Sequence, residues 1–146
     1  MLRKLRRLSE FTPGELVVLL QLVALALAAR SALTFLRLSR VTECVAWGAN
    51  NRFLRCIPLF HGPYEVTQLA RLADYAARAT RADGPCLLRS LLLFWLLKVR
   101  GEPAELLIGV SKETSGLQSH AWIETQGKIL VDRPEVAGSY ATLLRF

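Results

Sequence analysis

The chain is short of the residues that staple small folds. It holds three cysteines, Cys44, Cys56 and Cys86, among 146 residues. That number is odd and too small for a disulfide framework. A reducing compartment is the simpler expectation, with a thiol kept for chemistry or burial, and the expected location is the cytoplasm. Cys44 and Cys56 lie twelve apart with no histidine-rich context, and no Cys-x-x-Cys pair occurs, so no zinc site is expected. A phosphate-binding glycine loop is also missing, as are internal repeats and low-complexity stretches. Neither a metal nor an organic cofactor is therefore expected.

Apolar residues, by contrast, are plentiful. At 52% they exclude a disordered or collagen-like chain, and the length suits one domain. Lys and Arg number 19 and Asp and Glu 12, for a net charge of +7. The excess is uneven. Residues 1–40 hold seven basic and two acidic residues (+5), and residues 41–146 hold twelve and ten (+2). Most of it sits in Arg3-Lys4-Leu5-Arg6-Arg7. A nucleic-acid surface spreads its cations and interleaves aromatics, and this one does neither, so no nucleic-acid partner is expected.

A basic start followed by an apolar run over residues 16–29 is similar to a signal peptide, whose apolar region has roughly 7–15 residues. Three features argue against that reading. Glu10 and Glu15 interrupt the basic-to-apolar transition. Thr12-Pro13-Gly14 reads as a helix start with Thr12 as N-cap. The helical pattern also continues through Leu33, Leu36 and Leu38. The run is shorter than the about 20 residues of a membrane span. A helix packed on the main domain is expected, with membrane contact the less favoured alternative.

The remaining chain reads as helices first and a small antiparallel sheet second, an α+β order. Helices are expected over residues 13–37, near 42–46, over 64–81 and over 85–99, with loop between 46 and 63. Gly101 is the expected C-terminal cap of the last helix. Strands are expected over residues 104–111, 120–125 and 128–132. Residues 1–63 form an N-terminal helical region packed on a core of residues 64–146.

Three residues carry the expected chemistry: Cys86, His120 and Asp132. Pro85 prefers the first helical position, which puts Cys86 in the first turn. There the exposed N–H groups and the helix dipole favour a thiolate and could hold an oxyanion. His120 lies on a strand, and Asp132 ends the next one. A two-residue loop would pair Thr125 with Lys128 and put Asp132 opposite Ala121, on the wrong face. A three-residue loop ending in Gly127 would pair Glu124 with Lys128 and set Asp132 opposite His120. The glycine favours the second register. In it, Cys86 attacks a carbonyl, His120 moves the proton, and Asp132 fixes the imidazole tautomer. Glu124 is expected to pair with Lys128. Glu135 is the nearest alternative carboxylate to Asp132. Arg89, one turn after Cys86, either orients a substrate carbonyl or pairs with an acid from the sheet. Ser90 is a packing residue there. Arg89 and Trp122 are the candidate substrate contacts. His61 is read as a loop residue.

The motifs Cys86-Leu87-Leu88-Arg89-Ser90-Leu91, Ala104-Glu105-Leu106, Ile108-Gly109-Val110 and His120-Ala121-Trp122-Ile123-Glu124 resemble those of the lasso-peptide leader peptidases. These are small transglutaminase-like B proteins, and the length is similar to that of a stand-alone peptidase half. The likeness is closest over residues 70–146. It implies a transglutaminase-like, papain-like cysteine protease fold in which a helix carries the nucleophile and a sheet carries its partners. It implies Cys86, His120 and Asp132 as the triad, and a ribosomally made precursor peptide as substrate. The implied partners are a separate leader-recognition protein and an ATP-dependent macrolactam synthetase. Two other readings of the same fold are a non-catalytic peptide-binding or membrane-associated protein and an acyl-transferring enzyme.

Overall fold

The computed structural model describes residues 11–51, 53–59, 62–81, 84–113 and 116–146. His61 and the basic cluster of residues 3–7 lie outside them. Helix α1 (Pro13–Phe35) starts with the expected cap. Thr12 Oγ1 accepts the Glu15 N–H at 3.3 Å, and the Glu15 carboxylate accepts the Thr12 N–H at 2.8 Å. Arg71 reaches the same carboxylate at 2.9 Å. These donors, the Thr12 N–H foremost, hold the buried Glu15 carboxyl below its ordinary pKa against the opposing effect of burial.

Three further helices follow: α2 (Leu38–Asn50), α3 (Val66–Ala79) and α4 (Pro85–Val99), with a single 3₁₀ turn at Leu54–Cys56. The expected short helix near residues 42–46 thus extends to thirteen residues. Its buried Val41, Thr42, Gly48 and Ala49 show why, since a packed face carries the helix through residues with turn-like sequence. α4 has the expected bounds. Gly84 before it has φ 80, and Gly101 after it has φ 74, both left-handed positions that suit glycine.

Helix α4 is the hub. Leu92 and Leu96 join Val18, Leu22, Leu69 and Leu72 in one core cluster. Leu93, Phe94 and Leu97 join Leu106 and Ile123 in a second. An apolar all-round helix is the sequence form of an element covered on every side. α1 meets its expectation on one face only. Val18, Leu22 and Ala26 are buried, but Val17, Leu20, Leu27 and Phe35 are exposed. Taken whole, its 23 residues are also long and apolar enough to cross a membrane by length and composition, which corrects the shorter count from sequence.

The sheet has the order β3-β2-β1-β4 and is antiparallel throughout. Its strands are β1 (Glu105–Glu113), β2 (Gly116–Thr125), β3 (Lys128–Leu130) and β4 (Ala141–Arg145). A short helix, α5 (Val136–Ser139), precedes β4. β4 was not expected from sequence. Every residue in it is exposed, so it lacks the apolar alternation of a half-buried strand.

Candidate active site

Cys86 occupies the second position of α4, directly after Pro85, and is partly buried. The two side chains one turn further along tie α4 to the sheet. Ser90 Oγ donates to the Ala121 carbonyl at 2.9 Å, and Arg89 reaches Asp132 Oδ2 at 2.6 Å. The other carboxylate oxygen, Oδ1, is 3.4 Å from His120 Nε2. Cys86 shares the helix face of Arg89 and Ser90, the two residues that reach Asp132 and the Ala121 carbonyl beside His120.

The hairpin register differs from the expected one. Thr125 pairs with Lys128, and Glu124 pairs with Ile129, so the loop has two residues. Gln126 (φ 48) and Gly127 (φ 73) are both left-handed, the backbone of a type I′ turn. Gln126 supplies the second left-handed residue that sequence patterns assign to Asn, Asp or Gly. In this register a continued strand would put Asp132 opposite Ala121. β3 instead stops at Leu130, and Val131 turns left-handed at φ 72. That break brings Asp132 to the His120 side. The expected Glu124–Lys128 pair is absent for the same reason. Glu124 Oε1 accepts the Trp122 indole N–H at 3.1 Å, and Oε2 lies 3.9 Å from Arg145. Glu135 stands at the start of α5, and its backbone carbonyl accepts from Ser139.

His120 is held by rings. Tyr140 lies 5.4 Å from it between centroids, and Trp122 lies 6.3 Å away and nearly parallel, at 14°. Trp122 has no exposed surface, so it packs beneath the histidine and is not the substrate contact expected from sequence. Arg89 is used up in its carboxylate pair. Its side chain is 15% exposed and that of Asp132 13%. Tyr140 was missed because it precedes the unforeseen β4. Gly109, directly opposite His120, leaves the space for these rings. A Cβ there would meet Trp122 and Tyr140 at 2.9 Å each.

The chemistry follows from this order. Asp132 faces Nε2, which leaves Nδ1 as the nitrogen available to a thiol proton. Nε2 is buried, and at 3.4 Å its approach to Oδ1 is an ion-pair distance without hydrogen-bond alignment. Among the described residues the Cys86 thiol makes no hydrogen bond to His120. Such bonds are often long until substrate closes the site. Among the described residues, no group of three or more His, Cys, Asp or Glu side chains could hold a metal ion. A cavity of about 270 Å³ between α1, α2 and α4, lined by Leu25, Val45 and Trp95 among others, lies away from this constellation.

A family model described as the transglutaminase-like superfamily matches residues 18–145. The chain belongs to the transglutaminase-like superfamily. The α+β class read from sequence is that of a transglutaminase-like domain, with helices before a small antiparallel sheet. Members of the superfamily are generally cysteine-dependent enzymes, proteases or acyltransferases. The match begins inside α1, so the superfamily domain includes part of the N-terminal helical region as well as the sheet. Comparison with curated proteins and with solved structures gives no match.

Proposed function

We propose that this transglutaminase-like protein is a cysteine peptidase that removes the leader from a lasso-peptide precursor. Cys86 is the nucleophile, His120 the base and then the acid, and Asp132 the group that orients the imidazole. The thiolate adds to the scissile carbonyl, and the N–H groups of the first α4 turn take the developing oxyanion. His120 gives its proton to the leaving amine, and water then releases the acyl group from sulfur. The observation that carries this reading is Asp132, which joins Arg89 of the nucleophile's helix to His120 of the sheet. The partners in this reading are a leader-recognition protein that presents the precursor and an ATP-dependent macrolactam synthetase that closes the ring. No disulfide links Cys44, Cys56 and Cys86, which fits a reaction in the cytoplasm.

The test is cleavage of a lasso precursor, with its recognition protein, by the wild type and by Cys86→Ala. The wild type releases the leader, and the variant stays folded and releases none. Cleavage retained by Cys86→Ala sinks the triad. An acyl product captured by an added amine in preference to water would assign the same residues to acyl transfer.

A further inference from the structure

Positive charge and exposed apolar surface share one half of the chain. Residues 1–63 hold nine basic and three acidic residues (+6), and residues 64–146 hold ten and nine (+1). Among the described residues, eight of the twelve large apolar side chains that stand exposed also lie before residue 64. On α1, Val17, Leu20, Ala24, Leu27 and Ala28 are exposed and recur every three or four residues, so they form one stripe. Ala28 also lines the cavity between α1, α2 and α4, so stripe and groove adjoin. On the α2 side, Arg40, Cys44 and Trp47 are exposed and share a helix side at spacings of four and three, and Cys44 is part of the groove wall. The side chains involved are well out in solvent: Leu20 is 70% exposed, Phe35 85% and Trp47 66%.

The cations sit beside this apolar face. Arg37 and Arg40 are exposed at the start of α2, and among the described residues neither pairs with a carboxylate. Glu43 is the only acidic residue in the sequence between positions 16 and 64, and Arg3, Lys4, Arg6 and Arg7 precede α1 in the chain. An apolar patch of this extent marks an interaction site. Leu, Phe and Trp side chains bordered by arginines, with a single acid among them, suit the headgroup region of an anionic bilayer. A second copy of the chain suits it less, because a two-fold contact would press one +6 region against another. Insertion of α1 across a bilayer suits it less again. Val18, Leu22 and Ala26 pack on Leu69, Leu72 and Leu96, and Glu15 pairs with Arg71, so spanning would strip the core.

We propose that the α1–α2 face docks this protein on an anionic lipid surface. Leu20, Leu27, Phe35 and Trp47 enter the headgroup region, and Arg37, Arg40 and the basic residues ahead of α1 meet the lipid phosphates. α1 lies along the surface and stays packed on α3 and α4. The proposed active site is left in water, because α4 turns different sides to the two. Leu91, Leu92 and Trp95 line the groove, whereas Arg89 and Ser90 reach the sheet. Docking of this kind needs no turnover and holds whether or not the chain cuts a peptide.

The experiment is flotation of the full chain with two kinds of vesicle. One is phosphatidylcholine with about one third phosphatidylglycerol, and the other is phosphatidylcholine alone. The wild type is expected to float with the first and to bind the second about tenfold more weakly or less. Raising the salt to about 0.5 M is expected to remove that preference, since it screens the arginines from the phosphates. Neither comparison alters the protein, so folding does not enter. Leu20→Ser and Trp47→Ser are each expected to weaken binding about tenfold, and both positions are exposed, so urea denaturation should show the fold kept. Arg37→Glu with Arg40→Glu is expected to weaken binding about tenfold on the anionic vesicles only. Glutamate suits the start of α2, so this pair also leaves the helix intact.

A wild type that floats with neither vesicle overturns the proposal. So does binding that ignores lipid charge and salt, or that survives both the apolar and the arginine substitutions. Protein that stays with the vesicles through alkaline carbonate extraction assigns α1 to a membrane span and overturns it too. A wild-type dimer that ignores vesicles and dissociates on Trp47→Ser assigns the face to a second copy, with the same consequence. Flotation that follows lipid charge, salt and both sets of variants upholds the docking face, and in a protein that cleaves no precursor it does so while the peptidase reading falls.

Discussion

Asp132 stands 3.4 Å from His120 on a sheet side that strand alternation would deny it. The two-residue hairpin assigns Asp132 to Ala121, and only the left-handed Val131 carries the carboxylate round. A β-branched side chain in that conformation costs about 1–3 kcal/mol, a cost that persists where surrounding structure fixes it. The fixing contact is Arg89, 2.6 Å from the far oxygen of the same carboxylate. One residue of backbone strain and one ion pair thus set the orientation of the proposed base.

Val131→Gly should therefore stabilise the fold. Glycine adopts φ 72 without the Cβ penalty, and a gain of about 1 kcal/mol is expected. Urea denaturation reads it directly. A destabilised variant would show that Val131 contributes more by packing than it costs by strain.

Arg89→Gln should separate stability from positioning. The pair is mostly buried, so loss of one partner costs about 3 kcal/mol or somewhat less after solvent screening. The freed carboxylate no longer holds the imidazole, and precursor cleavage should fall on the order of a hundredfold in kcat, with KM little changed. Arg89→Lys should recover part of the stability but less of the rate, because a point charge does not reproduce the planar fork. A KM effect alone would return Arg89 to the role of substrate contact.

Gly109→Ala should damage the site from the opposite strand. The added Cβ meets a Trp122 ring carbon and the Tyr140 Cβ at 2.9 Å and the Ala141 carbonyl at 3.0 Å, and Trp122 and Tyr140 are the side chains whose rings pack on His120. The expected cost is about 1–3 kcal/mol, with a parallel loss of activity. Near-UV circular dichroism should change, since Trp122 and Tyr140 are both displaced. An unchanged spectrum and rate would mean that β4 shifts freely away from β1.

Glu15 should make stability pH-dependent in acid. Its carboxyl titrates below the ordinary value of 4.5 in the folded chain, chiefly through the Thr12 N–H. A depressed folded pKa contributes stability above the unfolded value, and that stability is lost as pH falls through the folded one. Glu15→Gln should thus be less stable than wild type at about pH 7, with the gap narrowing as the pH falls below the ordinary carboxyl value of 4.5. A gap that is constant with pH would assign the effect to packing of the helix start.

The helices were legible because their signals are local. Thr12 and Glu15 form a capping box, and Pro85 opens α4 at the expected residue. The seamless apolar character of α4 marked it as the covered central helix. Cys86 at the helix start, and His120 on a strand, followed from the same short-range rules. β4 was illegible because its pairing with β1 spans distant residues and leaves every β4 side chain exposed. Tyr140 was lost with it.

The sequence by itself determined the α+β order, the helix that presents Cys86 and the strand that presents His120. Those depend on periodicity, capping and proline, which act over a few residues. Tertiary structure alone decided how Asp132 meets His120. The glycine at position 127 is compatible with either loop length, so the turn could not choose the register. Pairing of Ile123 with Leu130 chose it, and the Arg89 contact then made the strained backbone of Val131 worth adopting.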